Sequence, residues 1–427
     1  MKSPHLIPRI LSNISFSQSD DGETLDSSKS LANDTTNDGS GRSKLMNAPD
    51  IVKETTKNIK NWLETDSPKP QGKISTVIPW YLQQATKDLA DNFETIKGLE
   101  DQRIHEGVVL GNKSPWSLSD GVHKDNGLRN RYSNVLPWDK NRVKLPVMGM
   151  SSQFSDYINA SHIKLSIPQI SKFKRYYIAT QGPIETTVPH FWQMCYNESD
   201  PADDSKPIII VMVTPLVEGT REKCYQYWPD QKLYDEISLD SENPYDEGFK
   251  CSLSLCFKKS EAFDSYTVTE LTLAPKIRKH GSPFEVSGYK PKKVYHFYYH
   301  QWSDFSKPDG YATINEISNK VWKINGENCL GKFNTNPVYV HCSAGVGRTG
   351  TFMTLDYLLN CCDIFVTPTT ENVWEKDFDS KPDPINEIVQ NLRQQRMMSV
   401  QSRTQYLFIY DTAEAVYKKK IEEKNNV

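Results

Sequence analysis

Residues 337–361, PVYVHCSAGVGRTGTFMTLDYLLNC, limit the possible folds of this chain more than any other stretch. An apolar, β-branched run enters, a glycine-rich turn follows, and apolar residues then recur at helical spacing. A strand that passes through a tight loop into a helix N-terminus gathers several unpaired backbone N–H groups at one point, and that point binds anions. Small loop residues let the backbone approach a ligand closely. The glycines at 345, 347 and 350 also spell G-x-G-x-x-G, the pattern of a dinucleotide-binding turn. That reading requires the unit to open a domain with further βαβ units after it, yet only about 80 residues remain and they show helical spacing. Asp363 stands near the position a ribose ligand needs, but the place of the motif in the chain argues against it. A nucleoside-triphosphate loop fits less well, because no Lys-Ser/Thr pair ends the motif.

A thiolate reading uses every residue of the loop. The N–H groups and helix dipole that hold an anion also favour the charged form of Cys342, so its pKa should fall. The sulfur then faces a phosphate cradled by the amides of Ser343, Ala344, Gly345, Val346 and Gly347. Arg348 can clamp two equatorial oxygens with its planar fork and stabilise transition-state charge. Thr349 brings a hydroxyl near the sulfur, where it can assist departure of the thiolate in a second step. His341 invites comparison with the base of a cysteine protease, but adjacent strand residues point to opposite faces. It is read as ordering the loop from behind.

The rest of the chain sets the frame. Of 427 residues, 51 are Lys or Arg and 54 are Asp or Glu, for a formal net charge of -3. That balance argues against bulk nucleic-acid binding. The longest apolar run, IIIVMVTPLV at 208–217, is about half of a membrane span and contains Pro215, so it reads as a buried strand and no membrane insertion is expected. The 8 cysteines show neither a C-x-x-C pair nor zinc spacing. No secretory signal is recognised, so reduced thiols and a cytoplasmic location are the expectation.

Residues 1–75 are a different material. The stretch 15–43 is rich in Ser, Asp and Asn and poor in large apolar residues, so it is expected to stay disordered. A marginal helix over 44–66 and a linker at 66–73 complete this extension. From residue 76 to 425 the pattern is globular. Helical spacing near each end encloses β-rich runs at 176–180, 208–213, 251–257, 266–274, 294–299 and 337–341. This predicts one α/β domain with a large twisted mixed sheet flanked by helices. Two hydrophilic stretches, 234–249 and 367–384, read as surface insertions.

VHCSAGVGRTGTF resembles the signature loop of the phosphotyrosine-specific protein tyrosine phosphatases. The likeness continues through RNRYSNVLPWDKNRV, DYINAS, YIATQGP, FWQM, EKCYQYWP, WSDF and VQSRTQYLFIY, in the family's order. The wording is nearest to the small, soluble fungal members. The resemblance implies hydrolysis of phosphotyrosine in signalling proteins, without cofactor or metal, by a monomeric enzyme. It implies that Asp304 of WSDF is the general acid and later the base, with Ser303 where the family usually has Pro. Gln401 would position the hydrolytic water and Gln405 would bind beside it. Glu218 and Lys223 match a loop whose Glu supports the catalytic Arg and whose Lys approaches the acid.

Tyr132 would wall a deep slot and Phe305 would close its other side, a shape that selects phosphotyrosine over the shorter phosphoserine. Asn134 would hold the peptide backbone where many relatives have Asp, and Ser133 replaces a common basic residue. Rival readings fit less well. A phosphoinositide phosphatase would favour extra lysines in the loop, and there are none. A dead phosphotyrosine-binding module would lack the Cys, the Arg or the acid, and all three are present.

Overall fold

The β-rich runs assemble into a nine-stranded sheet in the computed structural model. It describes residues 78–147, 155–230, 236–239, 249, 251–276, 288–302, 311–325, 336–366 and 382–425. The extension 1–75 and most of the two hydrophilic stretches therefore lie outside the described residues, as do Ser303, Asp304 and Phe305. The strands are β1 Arg142–Lys144, β2 Tyr157–Leu165, β3 Arg175–Thr180, β4 Ile208–Met212, β5 Val217–Glu218 and β6 Arg221–Glu222. They continue with β7 Glu236–Ser238, β8 Ser252–Ala262, β9 Tyr266–Lys276, β10 Lys292–Tyr299 and β11 Val338–His341. The helices of four or more residues are α1 Thr86–Leu110, α2 Val188–Glu198, α3 Ala312–Ile324, α4 Gly347–Cys361, α5 Asp363–Val366, α6 Pro384–Gln395 and α7 Arg403–Asn425.

Sheet order is β1-β2-β3-β11-β4-β10-β9-β8-β7. Pairing is parallel through β3, β11, β4 and β10 and antiparallel on both flanks. Parallel strands are covered on both faces, so they read as unbroken apolar runs. Every residue of β4 and β11 is buried. The pleat sends Ile209, Val211, Val338 and Val340 into one core and Ile208, Ile210, Met212 and Tyr339 into the other. Helices α1, α3, α4, α6 and α7 contribute to the first core and α2 to the second.

This topology places the site. The four parallel strands all end at one edge, where the connections after β3, β4, β10 and β11 gather. In open α/β sheets that edge is where ligands bind. Helix α6 shows the local logic of a flanking element. Asp383 caps it by accepting from the N–H groups of Ile385 (2.9 Å) and Asn386 (3.2 Å), and Pro384 opens its first turn. Its fully buried stripe is Ile385, Ile388, Val389 and Leu392. Burying each such side chain stabilises the fold by about 1.5–3 kcal/mol.

The stretch 234–249 corrects the sequence reading. Glu236–Ser238 is the edge strand of the sheet, paired antiparallel with β8, and buried Phe249 bridges to Val147. Three residues with one inward apolar side chain give too short an alternation to stand out among acidic neighbours. In the stretch 367–384, buried Asp383 belongs to the α6 cap rather than to an insertion.

Candidate active site

The loop from Cys342 to Val346 hangs between β11 and α4, and its carbonyls are held from outside. The Gly182 N–H donates to the Ser343 carbonyl at 2.8 Å. Arg396 donates to the Ala344 carbonyl at 3.0 Å and to the Gly345 carbonyl at 2.7 Å. A trans peptide points its N–H opposite its C=O. Pinning three successive carbonyls outward therefore turns the N–H groups of Ala344, Gly345 and Val346 inward. The Gly345 N–H lies 3.2 Å from the Cys342 sulfur as its donor. Gly345 has φ 72, and a Cβ there would come within 2.0 Å of the Thr180 carbonyl oxygen. Only glycine fits.

The charge balance at the sulfur follows. Burial by itself pushes the Cys342 thiol up. The Arg348 guanidinium, the hydroxyl and amide of Thr349 and the amide of Val346 outweigh it, and the pKa lies below the ordinary thiol value. Burial raises the Cys195 thiol, which has no cationic partner among the described residues, and it also raises the Cys224 thiol, where the pull of the Arg131 guanidinium is too weak to offset it. The Thr349 hydroxyl completes no well-aligned hydrogen bond among the described residues, so it faces the sulfur as an available donor.

Arg348 is buried on the first turn of α4 and donates to the Trp302 carbonyl at 2.6 Å. Trp302 is itself buried and is the last described residue before Asp304 and Phe305. Arg348, the expected phosphate clamp, is thus bonded to the segment that leads into the expected acid.

Behind the loop, His341 donates from Nδ1 to the Cys342 carbonyl at 3.0 Å, since a carbonyl can only accept. Its Nε2 must then accept from the Tyr227 hydroxyl at 2.6 Å, and that hydroxyl accepts from His296 Nε2 at 2.7 Å. Burial takes His341 down to about 4 and His296 well below its ordinary value, so the chain is neutral. His341 orders the loop and lies on the face away from the sulfur, as the strand alternation predicts.

Tyr132 is brought to the loop. Its hydroxyl lies 2.8 Å from Ser343 Oγ, which donates its own proton to the Lys223 carbonyl at 2.8 Å. Tyr132 is therefore the donor of that pair. Its segment is fixed by Gln181, which accepts from the Arg131 N–H and donates to the Arg129 carbonyl, both at 2.8 Å. Asn134 is half-buried in the next turn and Ser133 is exposed. Glu218 and Lys223 pair with each other at 3.2 Å across the β5–β6 hairpin.

Gln401 and Gln405 both reach the start of α4. A Cβ on Gly347 would lie 2.9 Å from Gln405 Oε1 and 3.2 Å from Gln401 Cβ. Gln405 Oε1 accepts from the N–H groups of Gln401 (3.0 Å) and Ser402 (3.3 Å), which fixes the entry to α7. Arg396 was missed by the sequence reading. Nothing in LRQQRMM separates an arginine that will be buried under a loop from a solvated one. Burial brings its pKa to about 10, so it stays charged at neutral pH.

Among the described residues, no group of three His, Cys, Asp or Glu side chains is placed to share a metal ion, and no helix is long and apolar enough to cross a membrane. A family model described as protein-tyrosine phosphatase matches residues 126–414. Tyrosine-protein phosphatase 1 of Saccharomyces cerevisiae is 40% identical over 344 residues, covering 78% of this chain and 96% of that protein. Tyrosine-protein phosphatase 2 of Schizosaccharomyces pombe is 32% identical over 423 residues; the match covers 96% of this chain and 52% of that longer protein. Among solved structures, the catalytic domain of human protein tyrosine phosphatase non-receptor type 18 has a TM-score of 0.55 at 23% identity, covering 77% of this chain and 96% of that one. PTPN18 in complex with HER2 phosphopeptides gives a TM-score of 0.56 at 24% identity, covering 77% of this chain and 99% of that one. These structural likenesses concern the fold.

Proposed function

This chain belongs to the protein-tyrosine phosphatase family, and on that premise we propose that it hydrolyses phosphotyrosine in proteins through a cysteinyl-phosphate at Cys342. One observation carries the reading: a deeply buried thiol whose pKa is nonetheless lowered, inside a ring of inward-turned amides and beside Arg348. In the first step the Cys342 thiolate attacks phosphorus, an S–P bond forms, and the P–O bond to the phenol breaks. Asp304 gives its proton to the departing oxygen. In the second step Gln401 directs a water, Asp304 takes its proton, and attack on phosphorus releases inorganic phosphate and the thiolate. Thr349 steadies that leaving sulfur.

Arg348 and the amides of Ser343, Ala344, Gly345, Val346 and Gly347 hold the equatorial oxygens throughout. Tyr132 and Phe305 flank the ring of the substrate, Asn134 holds its backbone and Gln405 binds beside Gln401. His341, Glu218 and Lys223 support these groups. The catalytic unit is assigned to residues 76–425, acting as a cytoplasmic monomer in signalling without cofactor or metal. Complexes of PTPN18 with HER2 phosphopeptides support a phosphorylated protein as the substrate.

The test compares wild type, Cys342→Ser and Asp304→Ala on phosphotyrosine and phosphoserine peptides with chelator present. Cys342→Ser should lose at least about 10⁴-fold in kcat, and Asp304→Ala about 10²- to 10⁴-fold. Substantial activity in Cys342→Ser would refute the thiolate mechanism. Equal turnover of phosphoserine would refute the deep slot, and loss of wild-type activity to the chelator would refute metal independence.

A further inference from the structure

The connection from α6 to α7 carries Gln401 on an unusual backbone. Met398 has φ 57 and Val400 has φ 58, both in the left-handed region. For a β-branched residue that conformation is strained and persists only where its surroundings over-determine it. The surroundings reach across the chain to α1. Glu100 Oε1 accepts from the Met398 N–H at 2.6 Å, and Glu100 Oε2 lies 3.2 Å from Arg393 Nη1. Arg393, oriented by that pairing, donates Nε to the Ser399 carbonyl at 2.9 Å and Nη2 to the Val400 carbonyl at 2.8 Å.

One ion pair therefore grips three successive residues ahead of Gln401. Its side chains are only 2% and 4% exposed, so solvent and salt screen it little. The clamped Val400 in turn touches the catalytic helix. Its N–H donates to the Val346 carbonyl at 3.2 Å, and a Cβ on Gly350 would meet its nitrogen at 2.4 Å. The position of Gln401 relative to the phosphate loop thus depends on a backbone that Glu100 and Arg393 hold.

We propose that Glu100 is a positioning residue for the second half-reaction. Through Arg393 and the Met398 amide, it sets the place from which Gln401 directs water onto the cysteinyl-phosphate. Glu100 touches neither substrate nor reacting atoms. The proposal rests on the two-step reading above, in which hydrolysis of the S–P bond uses Gln401.

The experiment uses the full chain with p-nitrophenyl phosphate, comparing wild type, Glu100→Gln, Gln401→Ala and the double variant. Because kcat/KM counts only steps through formation of the S–P bond, slower hydrolysis lowers kcat and KM together. Glu100→Gln should lower both by about 5- to 20-fold and leave kcat/KM within about twofold. The fraction of enzyme trapped as phosphoenzyme by rapid acid quench should rise. Gln401→Ala should show the same pattern, and the double variant should be little worse than Gln401→Ala alone.

If Glu100→Gln does not fold, Glu100→Asp keeps the charge on a shorter arm and should show the pattern at smaller amplitude. A fall in kcat at unchanged KM, without more trapped phosphoenzyme, would make the ion pair merely structural and overturn the proposal. Wild-type kinetics and trapping in Glu100→Gln would overturn it as well. If Gln401→Ala itself lacks the pattern, the role given to Gln401 fails, and the proposal fails with it.

Discussion

On the α2 face of the sheet, the phosphate loop ends a neutral chain, with His296, Tyr227 and His341 passing hydrogen bonds to the Cys342 carbonyl. On the opposite face, the carbonyls of Ala344 and Gly345 are held by a cation, Arg396, which also bonds to Asn159 and Ser161. Both supports fix geometry, but they do different electrostatic work. The histidine chain sets one tautomer and adds no charge, whereas Arg396 adds a positive field on the side that must tolerate an anion. The comparison teaches that the loop is held by a charged group on one face and by a neutral chain on the other. A buried neutral chain is inexpensive to keep, since burying an unpaired charge costs far more.

Removing the charged support should have the larger effect. Arg396→Met keeps bulk but frees two loop carbonyls and removes the cation, so kcat/KM should fall by about 10²- to 10³-fold. The pH midpoint for alkylation of Cys342 should move up, toward that of an ordinary thiol. An unchanged midpoint would mean that Arg396 acts on geometry alone.

The neutral support is probed by acid. His296 is held well below its ordinary value when folded, so the unfolded chain binds its proton first. The stability this histidine contributes is present above about pH 6.5 and is lost as pH falls toward the folded value, at about 1.4 kcal/mol per pH unit. His296→Gln keeps a donor toward Tyr227 but cannot titrate. Its stability, read from urea midpoints between pH 7 and 5, should therefore depend on pH by about one proton less than wild type. Parallel curves would show that His296 does not titrate on unfolding. The smallest effect belongs to the mouth, where neither support acts. Tyr132→Phe loses one hydrogen bond to Ser343 and should cost about 1 kcal/mol, or about fivefold in kcat/KM on a phosphotyrosine peptide. A hundredfold loss would give the hydroxyl a role beyond wall-building.

Much of the fold was legible because its signals are local. The run at 208–213 announced a buried strand by unbroken apolar composition and the run at 294–299 a strand by its β-branched and aromatic residues; the two pair in parallel at the centre of the sheet. Helix α6 followed from the spacing of Ile385, Ile388, Val389 and Leu392. Edge strand β7 was missed because three residues carry too little alternation. Within the site, the expectations for Cys342 and His341 follow from consecutive positions where strand β11 passes into the loop. Their opposite orientations needed no knowledge of the rest of the chain.

Arg396, Gln181 and Glu100 gave no such signal. Each works through partners tens or hundreds of positions away, and its role depends on which faces pack together. The sequence by itself determined the strand, turn and helix around Cys342, because consecutive residues must lie close and their backbone geometry is local. Tertiary structure alone decided that an arginine 51 positions from Gly345 turns the loop carbonyls outward. It also decided that a glutamate 298 positions from Met398 holds the backbone ahead of Gln401. The physical reason is that a charged side chain has the same local character in solvent or in a core, and only packing selects between them.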